Sequence, residues 1–525
     1  MRRNIFTLLL ALVAMMAHAI DEYQFHGGTA VLKGRIVNKP AGEWDIVEVR
    51  AHNLFSNKEI IKNIPVAADG TFEGVISLPH PQTVLALDLA SVFLTVGDTV
   101  EVTKDAALDS YEGVTFSGHG TSTTINRLWP EVRKHYFVDK EPYDKTMTTE
   151  DMPEWKQGLV KLMDTVIADI EADRLPLPAG TNAYVKEVIG ASLLGEPMMA
   201  IIDYFRDHMT LKINEYYDFV AERERWLLDN PAMLLVMKNP SSLLNRMRFY
   251  FLYDIAFMNQ KVRLSMANQD SAEEEAYKQQ YVLPHDYDAD LHRRLLPLRE
   301  DTLLTIADYY RMAAETTQTR FRLKKNNDFM MQMVLCQDVF TEEHYEKSYP
   351  ADHFAAHFAA AIPLITNPIV AHHATELYRQ YIINREGQPV QTVSQTPEAD
   401  AVFQRIIESY KGNGLYIDFW DRGCGPCRRG MLDEREKVER MKDLPVRFLY
   451  VCSEKTTPRD WAEKWMQENN IKGEHIYLKH TEWLQICEKF QFNAVPFCLA
   501  VDKDGNIVTY DDLDRYFSTN KSETE

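Results

Sequence analysis

The sequence predicts a multidomain chain in which three fold classes follow one another: an N-terminal antiparallel β-sandwich, a central all-α helical region and a C-terminal α/β fold. Three observations lead there. From about Tyr23 to Gly118, short runs of alternating apolar and polar residues are punctuated by glycine turns, the pattern of half-buried strands. From about Thr121 to Val393 the apolar period becomes helical. Near the C-terminal end an apolar run, Leu415 to Trp420, leads through a short turn into Cys424-Gly-Pro-Cys427 and a charged helical stretch. At 525 residues the chain has room for roughly two to four globular domains, and its 45% hydrophobic share suits packed cores.

The first nineteen residues read as a secretory signal peptide. Met1-Arg-Arg supplies a positive start, Ile5 to Met16 is a short apolar core, and Ala17-His-Ala19 is a small-residue cleavage site. The run is too short for a membrane span. No cysteine follows the cleavage site, so a lipoprotein anchor is not expected, and the mature chain would begin near Ile20. The expectation is a periplasmic protein of a bacterial envelope, with no membrane insertion after cleavage. The formal net charge of −20 disfavours nucleic acid and anionic membrane surfaces as partners.

Residues 23–118 supply the strands of the sandwich. Ala30–Val37 and Asp45–His52 alternate, Val66–Phe72 carries an Asp69-Gly70 hairpin, and Thr83–Leu89 and Val92–Val102 continue the series. No catalytic constellation lies here. Across 121–387, helices are predicted at Trp155–Asp173, Tyr184–Met209, Tyr216–Leu228, Ser242–Met258, Ala289–Glu315, Asp328–Phe340, Asp352–Ile362 and Pro368–Ile383. Asn230-Pro, Asn239-Pro and Asn367-Pro break one helix and start the next. No fixed-length repeat marks a solenoid, so a bundle or an array of helix pairs is expected. His353 with His357, and His372 and His373 with Glu376, could each face one metal ion. Neither group shows H-E-x-x-H or a full ligand set, and ordinary surface or interhelix histidine is the expectation. The aromatic run Arg248–Tyr253 reads as core. Residues 388–400 form a polar linker, 401–518 the α/β unit, and 519–525 a disordered tail.

The Cys-X-X-Cys motif carries the chemistry. Cys424 at a helix entrance would face unsatisfied backbone N–H groups and the positive end of the helix dipole, both of which favour thiolate over thiol. Arg428 and Arg429 add positive charge nearby. A lowered thiol pKa in the range of roughly 3.5–7.5 is known for such motifs. Cys427, one turn further in, would be more buried and would act as the resolving thiol. Half of a zinc site is the competing reading, but the chain has no second Cys-X-X-Cys pair. Cys336, Cys452, Cys487 and Cys498 stand apart in apolar surroundings and read as small buried hydrophobes. A second disulfide among Cys452, Cys487 and Cys498 is left open.

Asp418-Phe-Trp420 followed by Cys424-Gly-Pro-Cys427 resembles the active site of the thioredoxin superfamily, down to the acidic residue six positions before the first cysteine. The resemblance implies that the Asp418 carboxylate lies buried behind the disulfide and takes the proton of Cys427. Ala494-Val-Pro496-Phe and the hairpin at Gly505 resemble the family's cis-proline loop, which implies that Val495 and Pro496 lie beside the cysteines and align the substrate. Gly425 and Pro426 would complete the docking surface, with Trp420 packed beside the pair and flanking that surface. Gly423 stands where the family usually has tryptophan, and Asp421 and Arg422 also depart from its pattern. The order expected after Cys427 is helix Arg428–Lys442, strand Val446–Cys452, helix Pro458–Asn470, strand His475–Leu478 and helix Glu482–Phe490. That extra strand and helix is similar to the extracytoplasmic TlpA/ResA type. Gly34, Asp69-Gly70-Thr-Phe72 and Gly97-Asp-Thr-Val100 resemble the β-domain attached to many thioredoxin-like proteins of Bacteroidota. The resemblance implies a thiol–disulfide oxidoreductase acting on protein disulfides, in the reductase or isomerase direction, with no cofactor and with a membrane thiol as electron donor. A non-catalytic envelope binding protein that uses this fold to dock, and a thiol peroxidase, are the competing readings.

Overall fold

The computed structural model describes residues 25–40, 44–56, 58–108, 113–137, 152–207, 218–237, 329–345, 358–387 and 397–508, with the single positions 244 and 311. Several expectations therefore lie outside the described residues. They are the signal peptide, nearly all of the helices at Ser242–Met258 and Ala289–Glu315, the aromatic run Arg248–Tyr253, His353, His357, linker residues 388–396 and the tail.

Eight strands build two four-stranded sheets. They are β1 (Gly28–Val37), β2 (Ile46–Asn53), β3 (Lys58–Pro65), β4 (Thr71–Leu78), β5 (Gln82–Ala86), β6 (Ala90–Leu94), β7 (Thr99–Asp105) and β8 (Val114–Ser117). One sheet runs β4-β1-β7-β8 and the other β3-β2-β5-β6. Alternate residues from both sheets, among them Leu32, Ile36, Val47, Val49, Ile76, Val92 and Val102, close on one core. The sandwich is not wholly antiparallel, because β1 and β7 pair in parallel. An alternating pattern records which face of a strand is buried and not the direction of its neighbour, so the sequence could not reveal this.

Two glycines fix the geometry of β1 and its hairpin. A Cβ on Gly34 would stand 1.8 Å from the Val102 carbonyl oxygen, which the β1–β7 pairing brings in. Gly70 adopts φ +85, and Asp69 Oδ1 accepts from the Thr71 backbone N–H at 3.0 Å to shape the same turn. The substitution Gly34→Ala should destabilise the fold by at least about 1–3 kcal/mol through overpacking. An unchanged midpoint in urea unfolding would contradict that contact.

Helices α1 (Thr121–Tyr136), α2 (Met152–Glu171), α3 (Ala183–Asp207), α4 (Glu224–Leu227), α5 (Ala232–Val236), α6 (Phe329–Tyr345) and α7 (Pro368–Gly387) follow. Leu159, Met163, Val188, Leu194, Met330 and Val334 share a core with Phe25, Phe55 and Phe93 from the strand region. Polar groups stitch the two together: the Asn126 side chain accepts from Phe93 N–H and donates to its carbonyl, both at 2.8 Å. The helix expected at Tyr216–Leu228 is interrupted at Arg223, whose φ −117 and ψ 19 end one turn before α4 begins. The Arg223 guanidinium reaches Asp164 on α2 at 2.8 Å, so tertiary pairing outweighs local propensity there. His373 stacks on Phe55 with ring centroids 4.0 Å apart, and Glu376 pairs with Arg379. Among the described residues no group of three His, Cys, Asp or Glu side chains is placed to hold a metal ion, and no helix is long and apolar enough to cross a membrane.

The last part holds α8 (Pro397–Glu408), β9 (Gly414–Phe419), α9 (Gly425–Arg440), β10 (Val446–Ser453), α10 (Arg459–Glu468), β11 (Glu474–Leu478), α11 (His480–Phe490), β12 (Phe497–Val501) and β13 (Ile507–Val508). Helix α8 begins inside the stretch expected to be linker. Proline suits a first helical position, and Glu398 and Asp400 favour the positive end of the dipole. The sheet runs β11-β10-β9-β12-β13, with β9, β10 and β11 parallel, β12 antiparallel to β9 and β13 antiparallel to β12. Leu415, Ile417 and Phe419 face Val402, Phe403 and Ile406 of α8 and Ile486 of α11. Trp420 and Tyr450, from the opposite face, meet Met431 of α9 and Met466 of α10. Burial on both faces explains why β9, apart from Asp418, is apolar instead of alternating.

Helix α11 also grips the edge strand β3. Glu488, 2% exposed, accepts from Asn63 N–H at 2.9 Å and from Lys62 Nζ at 3.0 Å. Gln491 accepts from Ile61 N–H at 2.8 Å and donates to its carbonyl at 3.1 Å, as a neighbouring strand would.

Candidate active site

The chain leaves β9 at Phe419, passes the buried Trp420 and turns through Asp421 to Gly423. Asp421 Oδ1 accepts from Gly423 N–H at 2.7 Å. Arg422 N–H donates to Thr457 Oγ1 at 3.0 Å, and that hydroxyl reaches Asp421 Oδ2 at 3.3 Å. Asp421 and Arg422 thus tie this turn to the loop after β10. Thr457 carries no sequence signal for that role.

Cys424 is the N-cap residue of α9 in extended conformation, and its Sγ accepts from the Cys427 backbone N–H at 3.1 Å. Gly425 and Pro426 form the first helical positions, where the missing proline N–H costs no hydrogen bond. No acidic residue lies in this first turn. The two cysteines are joined as a disulfide with Cα atoms 5.3 Å apart, within the usual span. Cys427 is 1% exposed, whereas Cys424 is half-buried and Gly425 and Pro426 are exposed. One sulfur is therefore accessible and the other protected. On reduction, Cys424 Sγ would keep the positive end of α9 and at least one N–H donor.

The Val495–Pro496 peptide is cis. The Val495 carbonyl oxygen lies 3.6 Å from Cys424 Sγ, and Pro496 is exposed beside it. Asp418 sits on β9 on the same sheet face as Trp420 and Tyr450, under α9. Burial is the main cause that pushes its carboxyl up to about 7, with the Glu434 charge adding to it and a hydrogen bond from Cys498 opposing it. A buried carboxyl near neutrality can both take and give a proton at physiological pH.

Trp420 does not flank a docking surface. It is fully buried, with Trp461 and Trp465 of α10 at ring-centroid distances of 6.5 and 6.0 Å, so it supports the pair from beneath. Trp461 and Trp465 stack on each other and are half-buried. Their four-residue helical spacing was the signal that could have found them. Cys336, Cys452, Cys487 and Cys498 are free thiols, so no second disulfide forms among them. Burial pushes the Cys336, Cys452 and Cys487 thiols up, away from reactivity.

No family model matches the chain, and no curated protein matches it. Solved structures do, over about a fifth of its length. The thioredoxin domain of a thiol-disulfide oxidoreductase from Bacteroides vulgatus is 22% identical, with 21% of this chain and 83% of that one covered and a TM-score of 0.19. A thiol:disulfide interchange protein from a Bacteroides species is 23% identical, with 22% and 76% covered and a TM-score of 0.19. A DsbF homologue from Corynebacterium diphtheriae is 18% identical, with 22% and 75% covered and a TM-score of 0.18.

Proposed function

We propose that this chain is a periplasmic thiol–disulfide oxidoreductase of the extracytoplasmic thioredoxin kind, similar to the TlpA/ResA type, that acts on protein disulfides. One observation carries the reading: a bonded cysteine pair at a helix start, with the accessible sulfur at the cap, the protected one a turn inward and a neutral-range carboxyl on the face that α9 covers. In the reduced enzyme, Cys424 thiolate attacks a substrate disulfide, forms a mixed disulfide and expels one substrate thiolate. Cys427 then yields its proton to Asp418 and attacks Cys424 Sγ. The Cys424–Cys427 bond forms, the mixed disulfide breaks, and the second substrate thiolate leaves. Two electrons pass from the pair to the substrate. A membrane thiol carrier is the donor proposed to restore the dithiol. Gly-Pro between the cysteines is the dipeptide of reducing thioredoxins, near about −270 mV, which supports the reductase or isomerase direction. Val495 and Pro496, beside the accessible sulfur, would align the substrate backbone, with Gly425 and Pro426 forming the rim.

The test is capture. The Cys427→Ser variant keeps the attacking sulfur and loses the resolving one, so envelope proteins should accumulate on Cys424 as mixed disulfides that dithiothreitol releases. If the Cys427→Ser variant traps nothing where the Cys424→Ser, Cys427→Ser double variant also traps nothing, the chain is a docking module and not an exchanger.

A further inference from the structure

The register of the C-terminal sheet sets a row of titratable side chains across its strands. Asp418 of β9 stands opposite Cys498 of β12 on one side and Tyr450 of β10 on the other, and Tyr450 pairs in turn with His475 of β11. Cys498 Sγ lies 3.6 Å from Asp418 Oδ1, within hydrogen-bonding reach for sulfur, and donates to it. Among the described residues this is the one hydrogen bond made to the Asp418 carboxyl. Tyr450 is 2% exposed and, among the described residues, its hydroxyl has no hydrogen-bond partner, while its ring stacks on His475 with centroids 5.4 Å apart. From the covering helix α9, Glu434 adds a negative charge that opposes ionisation of Asp418, and the Cys427 end of the disulfide lies at the start of the same helix. Of these neighbours, Cys498 is the one that favours the charged carboxylate.

We propose that Cys498 is a positioning residue of this site: its thiol fixes the orientation of the Asp418 carboxylate and biases it toward the ionised form that accepts the Cys427 proton. The proposal rests on the oxidoreductase reading for its catalytic meaning, but the coupling between the two side chains does not. A thiol donor stabilises a carboxylate only while the proton stays on sulfur, and no charge is then added to a region where Glu434 already repels. A neutral donor is therefore the suitable way to hold a buried acid near neutrality. Cys498 takes part in no bond-making step and gains or loses no electrons.

The experiment compares full-length wild type with Cys498→Ala and Cys498→Ser. In the oxidised protein, where Cys424 and Cys427 do not titrate, the Asp418 carboxyl is followed by ¹³C NMR against pH. Cys498→Ala should move its midpoint upward by about half to one pH unit, the size expected for one lost hydrogen bond. Cys498→Ser, which retains a donor, should bring the midpoint back to the wild-type value or below. In the reduced proteins the probe is 5,5′-dithiobis(2-nitrobenzoate). The second thionitrobenzoate, released when Cys427 attacks Cys424 Sγ, should show the same alkaline displacement in its pH profile for Cys498→Ala and its reversal for Cys498→Ser. An unmoved Asp418 midpoint in Cys498→Ala, or equal displacement in both variants, overturns the proposal. A displaced midpoint with no second release even in wild type upholds the coupling and overturns the oxidoreductase reading instead.

Discussion

Cys424→Ser should abolish turnover, with disulfide reduction falling on the order of 10³-fold or more, as when other covalent nucleophiles are removed. A hydroxyl at the α9 cap can still accept the Cys427 N–H bond, so the fold should survive. It cannot supply a sulfur anion to open a disulfide. The measurement is reduction of a model protein disulfide with dithiothreitol as donor, with circular dichroism to verify folding. A folded Cys424→Ser protein that still turns over would remove the accessible sulfur from the mechanism. Cys427→Ser differs in kind: it should allow one attack and then stall.

Asp418→Asn should have a marked effect on stability, and its sign depends on pH. In the folded protein the carboxyl is pushed up to about 7 from an ordinary 3.8, so the folded state holds the proton more tightly than the unfolded chain does. Below pH 3.8 the acid is neutral in both states and costs nothing extra. As pH rises toward 7, the unfolded state gains the ionised form first and the native state loses stability. Above that the loss is complete, about 4 kcal/mol for a shift of about three units. Asparagine is neutral throughout, and leaving its buried amide imperfectly bonded costs about 1–3 kcal/mol. Urea unfolding of oxidised proteins should therefore show Asp418→Asn to be more stable than wild type at about pH 8, with the advantage shrinking or reversing by about pH 4. The same variant should slow release of the mixed disulfide, because no carboxylate receives the Cys427 proton. A pH-independent difference in stability would mean that Asp418 titrates normally in the fold.

The sequence announced the redox site because its parts are local. Cys424, Gly425, Pro426 and Cys427 occupy one helical turn, and the short, mostly apolar run before them suits a strand covered on both faces. The order of elements from β9 to β12 was legible for the same reason, with boundaries shifted by a few residues. What escaped was everything set by register between distant strands. The parallel β1–β7 pairing joins strands some seventy residues apart, and nothing in either strand marks the direction of its partner. Cys498 read as a small hydrophobe because only the β9–β12 pairing reveals that it faces Asp418. The sequence packs Trp420 beside the cysteine pair, and it does share a core with Cys427, but its flanking of the docking surface fails because Trp461 and Trp465, some forty residues on, bury it.

The clasp of Gln491 on Ile61 bears on whether the redox part can be cut free. A fragment starting at Pro397 would carry Glu488 into water, where a carboxylate is well solvated. The remnant would fare worse: β3 would present a bare row of peptide groups able to recruit a second chain. Proteolytic nicking between the two should thus release the C-terminal part and leave behind material prone to aggregate, so that intactness of the whole polypeptide guards against clumping.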